Sequence, residues 1–140
     1  MMNLVHLHPM LVHFPIALAL VALLFNLAAY YFKQEWLNKA AIALTVCAAL
    51  GALISILSGI FFTKPVAGLA ASLKEEHVTY ALASTLFLVL SSFIGGKLFL
   101  KPSRQTKLHY AFTALLLLAA GCIALTGMKG GSIVYDVWLF

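Results

Sequence analysis

The sequence predicts an all-α membrane protein: four transmembrane helices in an up-down bundle, with both termini on the outer, periplasmic side. Three observations carry this. Of 140 residues, 64% are hydrophobic and 9% charged, whereas soluble domains carry about 25% charged residues. So few charges cannot coat a water-facing surface, and a soluble globular enzyme is excluded. Those charges are also confined to short clusters, which leave charge-free runs at 1–32, 40–63, 77–96 and 108–128. Each run meets the roughly 20 residues needed to cross about 30 Å of hydrocarbon. Finally, the loops after the first and third runs hold Lys33, Lys39, Lys97, Lys101, Arg104 and Lys107, against Lys64, Lys74 and Lys129 on the other side. By the positive-inside rule the richer side is cytoplasmic, and the expected location is a cytoplasmic (inner) membrane.

The chain reads as one integral domain, 1–140, with helices at about 10–32, 40–62, 79–97 and 108–127 and an interfacial tail at 132–140. The first run lacks a basic leader, and its apolar stretch exceeds the 7–15 residues of a signal core, so it is read as a helix. It ends in Tyr30, Tyr31 and Phe32, followed by Trp36, aromatic rings of the kind that settle at the headgroup level. The second helix carries Gly51, Ser55 and Gly59 at four-residue spacing, a small-residue stripe that permits close helix packing and a possible oligomer face. Pro102 and Ser103 stop the third helix and allow an antiparallel return. Gly127 is the expected cap of the fourth, and the tail bearing Tyr135, Trp138 and Phe140 is read as a lid over the bundle mouth.

Partners follow from this layout. The lipid bilayer is the obligatory one. The basic residues sit in interhelical loops rather than on one face, so the net charge of +5 is topological and no nucleic-acid partner is expected. Cys47 and Cys122 fall at depths about 10 Å apart, too far for a disulfide, and read as apolar packers. No nucleophile elbow or phosphate-binding glycine loop occurs.

In so apolar a chain the five histidines stand out. His6, His8, His13 and His77 fall on the outer side, while His109 alone falls on the inner side and reads as structural. His13 lies about 5 Å inside the first helix, and His77 is expected to open the third from the same edge. Imidazoles from two helices can hold the iron of a haem while apolar side chains shield its faces. With no C-x-x-C-H attachment, such a haem is b-type. Ala17 and Ala81, each four residues beyond an imidazole, offer low relief for a flat cofactor. The bland alternative makes His13 a hydrogen-bonded polar residue at a helix start and His77 a solvated neighbour of Glu75 and Glu76. Within the run His8-Pro9-Met10-Leu11-Val12-His13-Phe14-Pro15, an internal Pro15 frees the Leu11 carbonyl, which could orient a ligating imidazole. Alternatively, Pro15 is the first helical residue.

The residues His8, Pro9, Val12, His13, Phe14 and Pro15 resemble the opening motif of a family of small bacterial membrane proteins of unknown function. The resemblance extends over four helices, to His77 on the third and to Gly130, Gly131, Val134 and Tyr135 after the fourth. Members of that family continue with a histidine and glycine, where this chain has Asp136, Val137 and Trp138. Relatives fused to Rieske-type or cytochrome c-type modules imply membrane redox chemistry.

The leading expectation is therefore a b-type haem (heme b) held by His13 and His77 near the outer face, with electrons exchanged with quinol or a periplasmic redox protein. The alternative is a zinc or copper site built from His8, His13, His77 and Asp136, whose open position could activate water. A third reading is a cofactor-free assembly subunit packed through the stripe of helix two.

Overall fold

The computed structural model describes residues 7–62, 68–100 and 106–138. Four helices, α1 (Leu7–Phe32), α2 (Glu35–Phe62), α3 (Leu69–Leu100) and α4 (Thr106–Ser132), run up and down. All four are long and apolar enough to cross a membrane, and no strand occurs among the described residues. Apolar side chains cover the outside of the bundle, Leu24, Leu57, Leu86 and Leu117 among them, each at least half exposed. On a soluble protein that surface would aggregate; here it meets lipid tails.

Three of the helices, α2, α3 and α4, outrun their charge-free runs. α3 starts ten residues earlier than expected and takes in Lys74, Glu75 and Glu76, while α2 starts at Glu35, which pairs with Lys39 at 2.8 Å. A helix satisfies its own backbone, so it need not stop where hydrocarbon gives way to water, and charges one turn apart support the extension. α4 likewise passes through Gly127, Gly130 and Gly131 to Ser132 and continues as a π-helical turn, Ile133–Trp138, packed against both α4 and α3. The expected cap at Gly127 is replaced by continuous helix. Between α1 and α2 only Lys33 and Gln34 intervene, and Lys33 takes the left-handed conformation (φ 55°) that ends a helix. Lys64, Lys101, Arg104, Pro102 and Ser103 lie outside the described residues, as do Met1, Met2 and His6.

α1 pairs closely with α2, and α3 with α4. The first pairing follows from small residues. A side chain on Gly51 would lie 3.2 Å from the Pro15 ring, and one on Gly59 would lie 3.1 Å from His8. Ser55, between them, reaches the Leu11 carbonyl at 3.3 Å. The stripe expected as an oligomer face is thus occupied by α1 of the same chain. Deeper in, Ala19, Ala22, Ala41, Ala48 and Ala119 bring backbones together around Leu88, Phe112 and Leu116, the small-residue packing that lipid-embedded helices rely on.

Candidate functional site

At the end of the bundle where α1 and α3 begin, two imidazoles enter from different helices. The inward stripe of α1 runs through Pro15, Ala19, Ala22 and Asn26, all buried. Extended back by two turns, this stripe reaches His8, which is half-buried. His8 Nδ1 lies 2.8 Å from the Ser58 hydroxyl. That hydroxyl donates its own proton to the Ser55 carbonyl at 2.7 Å, so its oxygen must accept from the imidazole. The contact selects the Nδ1–H tautomer of His8, whose ring is also hydrogen-bonded to the Ser55 backbone, and leaves Nε2 as the acceptor nitrogen of the neutral ring.

His77 arrives at the same state by another route. It lies eight residues into α3, roughly 12 Å along the helix, rather than at its start as expected. Its Nδ1–H donates to the Thr126 carbonyl of α4 at 2.9 Å. A carbonyl can only accept, so Nε2 is again the acceptor nitrogen. Glycines back both rings: a side chain at Gly130 would stand 3.2 Å from His77 Cε1 and Nδ1, just as Gly59 backs His8. The two rings are near enough to interact electrostatically, and Lys74 is within the same reach of His8. Lys129 of α4 forms an ion pair with Glu76 of α3 beside His77, tying together the two helices that position that ring.

The structure brings His8, not His13, toward His77. Two residues from buried Pro15, or about 200° around the helix, His13 is exposed. Its Nδ1 is hydrogen-bonded to the Pro9 carbonyl of its own helix. Pro15 does lie inside α1, but the Leu11 carbonyl it frees is taken by Ser55 rather than by an imidazole. Ala17 is likewise exposed, away from the site. The Asp136 side chain lies outside what is described, and no group of three His, Cys, Asp or Glu side chains able to hold a metal ion occurs among the described residues. Gly59, Gly130, Ser58 and Thr126 are the contributors that the sequence did not single out as ring supports.

His109 sits at the opposite end. Its Nε2 lies 3.4 Å from the Asn38 amide, which donates to it. One turn further on, Thr113 donates to buried Asn26 at 2.6 Å, tying α4 to α1. Cys47 and Cys122 are both free thiols.

A four-helix membrane bundle with a pair of oriented imidazoles at one end is the class of protein that this arrangement defines. The chain belongs to the DUF2231 family of predicted membrane proteins, whose family model matches residues 5–139. No curated protein and no solved structure matches it.

Proposed function

We propose that the chain is a membrane redox protein that holds a b-type haem between His8 and His77 and exchanges electrons with quinol or a periplasmic redox protein. The observation that carries this is the common state of the two rings. Each comes from a different helix, each has its Nδ1–H committed to an acceptor on a neighbouring helix, and each keeps Nε2 as its acceptor nitrogen. Such hydrogen bonds orient an imidazole and raise its basicity as a ligand. Two protein ligands suffice for haem, because the macrocycle supplies the remaining four nitrogens. A zinc site needs three or four ligands from the protein, which favours haem over the zinc or copper reading.

The roles of the chain's own residues follow. His8 and His77 would hold the group, with Ser58 and the Thr126 carbonyl fixing their tautomers. Gly59 and Gly130 provide the room behind the rings. When bound, haem supplies one-electron chemistry. The excess of basic residues in the loops at the far end supports an outward-facing site in the cytoplasmic membrane.

The test is the absorption spectrum of protein purified in detergent from haem-replete cells, alongside elemental analysis. A Soret band lost in His8→Ala and in His77→Ala but retained in His13→Ala is expected. A band lost only with His13, or stoichiometric zinc or copper without a band, overturns the assignment. The absence of both signals, in protein made with ample haem and metal, also overturns it and leaves a cofactor-free role.

A further inference from the structure

Helix α1 carries an imidazole that the paired site does not use. His13 is exposed, and its Nδ1–H donates to the Pro9 carbonyl, so in the neutral ring Nε2 is a bare acceptor on the side away from the backbone. Its surroundings are apolar: Met10 one turn before and Ala17 one turn after are exposed, as are Phe14 and Leu20. Ionisable groups in spans generally turn inward to a bundle interior or cavity; this one faces outward. It also lies five residues, roughly 7.5 Å, deeper than His8.

We infer that His13 is the docking contact for a lipid-soluble aromatic hydroxyl donor, the class to which quinols belong, which approaches α1 from the bilayer. Its role as an electron donor rests on the redox reading above, although the binding itself requires no haem. The chemistry of the acceptor selects the class. A second copy of the chain meeting this face symmetrically would set two bare Nε2 lone pairs against each other. A lipid phosphate offers only acceptors. An aminolipid ammonium is a donor, but it resides at the headgroup level and has no flat body. A quinol presents an O–H to Nε2 and a planar ring to the low surface at Ala17, beside the exposed ring of Phe14.

The test uses haem-free protein with ¹⁵N-labelled histidine in phosphatidylcholine nanodiscs, titrated with duroquinol. The ring-nitrogen resonance that disappears in His13→Phe is expected to shift saturably, while those of His8 and His77 stay in place. The dimethyl ether of duroquinol, which has no O–H, should leave it unmoved, and His13→Phe should weaken duroquinol retention about tenfold. An equal response to the ether overturns the inference, as does no response to duroquinol. So does a response that instead follows added phosphatidylethanolamine or the number of chains per disc. Because the readout needs no haem, an absent Soret band leaves this inference standing. A silent His13 resonance leaves the haem assignment standing.

Discussion

The Ser55 hydroxyl on α2 lies 3.3 Å from the Leu11 carbonyl on α1, the carbonyl that Pro15 deprives of its helical donor. The same hydroxyl lies 2.9 Å from the Gly51 carbonyl, so its single proton is shared between the two helices. A vacancy in one helix's hydrogen-bond ladder is filled from the other, as happens where proline is tolerated within lipid. Ser55→Ala is expected to lower stability by about 0.5–1.5 kcal/mol, read by thermal unfolding in detergent. In a Pro15→Ala background, where an amide returns to Leu11, the cost of the same change should shrink. Equal costs in the two backgrounds would mean that Ser55 does not serve the orphaned carbonyl.

Gly59 and Gly130 make a matched pair of tests for the site. An added methyl would stand 3.1 Å from His8 in one case and 3.2 Å from His77 in the other, closer than packed carbon atoms rest. Either ring would have to shift by a few tenths of an ångström, which disturbs Nε2 while the fold persists. Gly59→Ala and Gly130→Ala are expected to weaken cofactor retention by about tenfold, or about 1.4 kcal/mol, at an unfolding temperature no lower than that of the wild type, since alanine is the better helix former. Gly127→Ala is the control on the same helix, because nothing lies within 4 Å of its added carbon. If Gly127→Ala weakens retention as much as Gly130→Ala does, the cause is helix stiffness and not the ring seat.

The four crossings were legible because hydrocarbon excludes charge, and the gaps between Lys and Glu clusters report that directly. The helix ends were not, since Lys74, Glu75 and Glu76 end a charge-free run and say nothing about where backbone hydrogen bonding stops. Which of His8 and His13 packs inward was hidden for a different reason. A span that is apolar all round has no polar face to reveal which side packs inward. The faint signal was the spacing of His8, Pro15, Ala19, Ala22 and Asn26, which would have needed to be matched against Gly51, Ser55 and Gly59 on the partner helix. The part Gly130 plays was hidden because the sequence places the end of α4 at Gly127, whereas the helix continues past it and Gly130 accommodates His77.

Asn26 and Thr113 hold the far end together. The Thr113 hydroxyl donates to Asn26 Oδ1 at 2.6 Å, and Asn26 is buried. Interhelical hydrogen bonds in membranes average about 0.6 kcal/mol and reach about 1.7. Thr113→Val keeps the shape but strands the Asn26 oxygen, so a loss of about 1 kcal/mol is expected in detergent unfolding. Thr113→Ser, which keeps the hydroxyl, should cost less. Adding Asn26→Leu to Thr113→Val should recover much of the loss, because both polar partners are then gone. Additive losses in the double variant would show that the two side chains are not coupled.

Gly95 and Gly96 are neighbours on α3 that should respond oppositely to the same change. Alanine is favoured over glycine within a helix by about 0.8–1.0 kcal/mol, and at Gly96 nothing lies within 4 Å of the added carbon. Gly96→Ala is therefore expected to stabilise the protein by up to that amount. At Gly95 the carbon would stand 3.1 Å from both Ile42 Cγ2 and Phe112 Cε2. Phe112 is fully buried and Ile42 nearly so, so neither side chain has solvent or lipid into which it can retreat. The overpacking penalty, typically 1–3 kcal/mol, then exceeds the helix gain, and Gly95→Ala should be net destabilising. The order of the two unfolding temperatures, with wild type between them, is the measurement. Stabilisation by both changes would show that α2, α3 and α4 pack less closely around Gly95 than the structure has them.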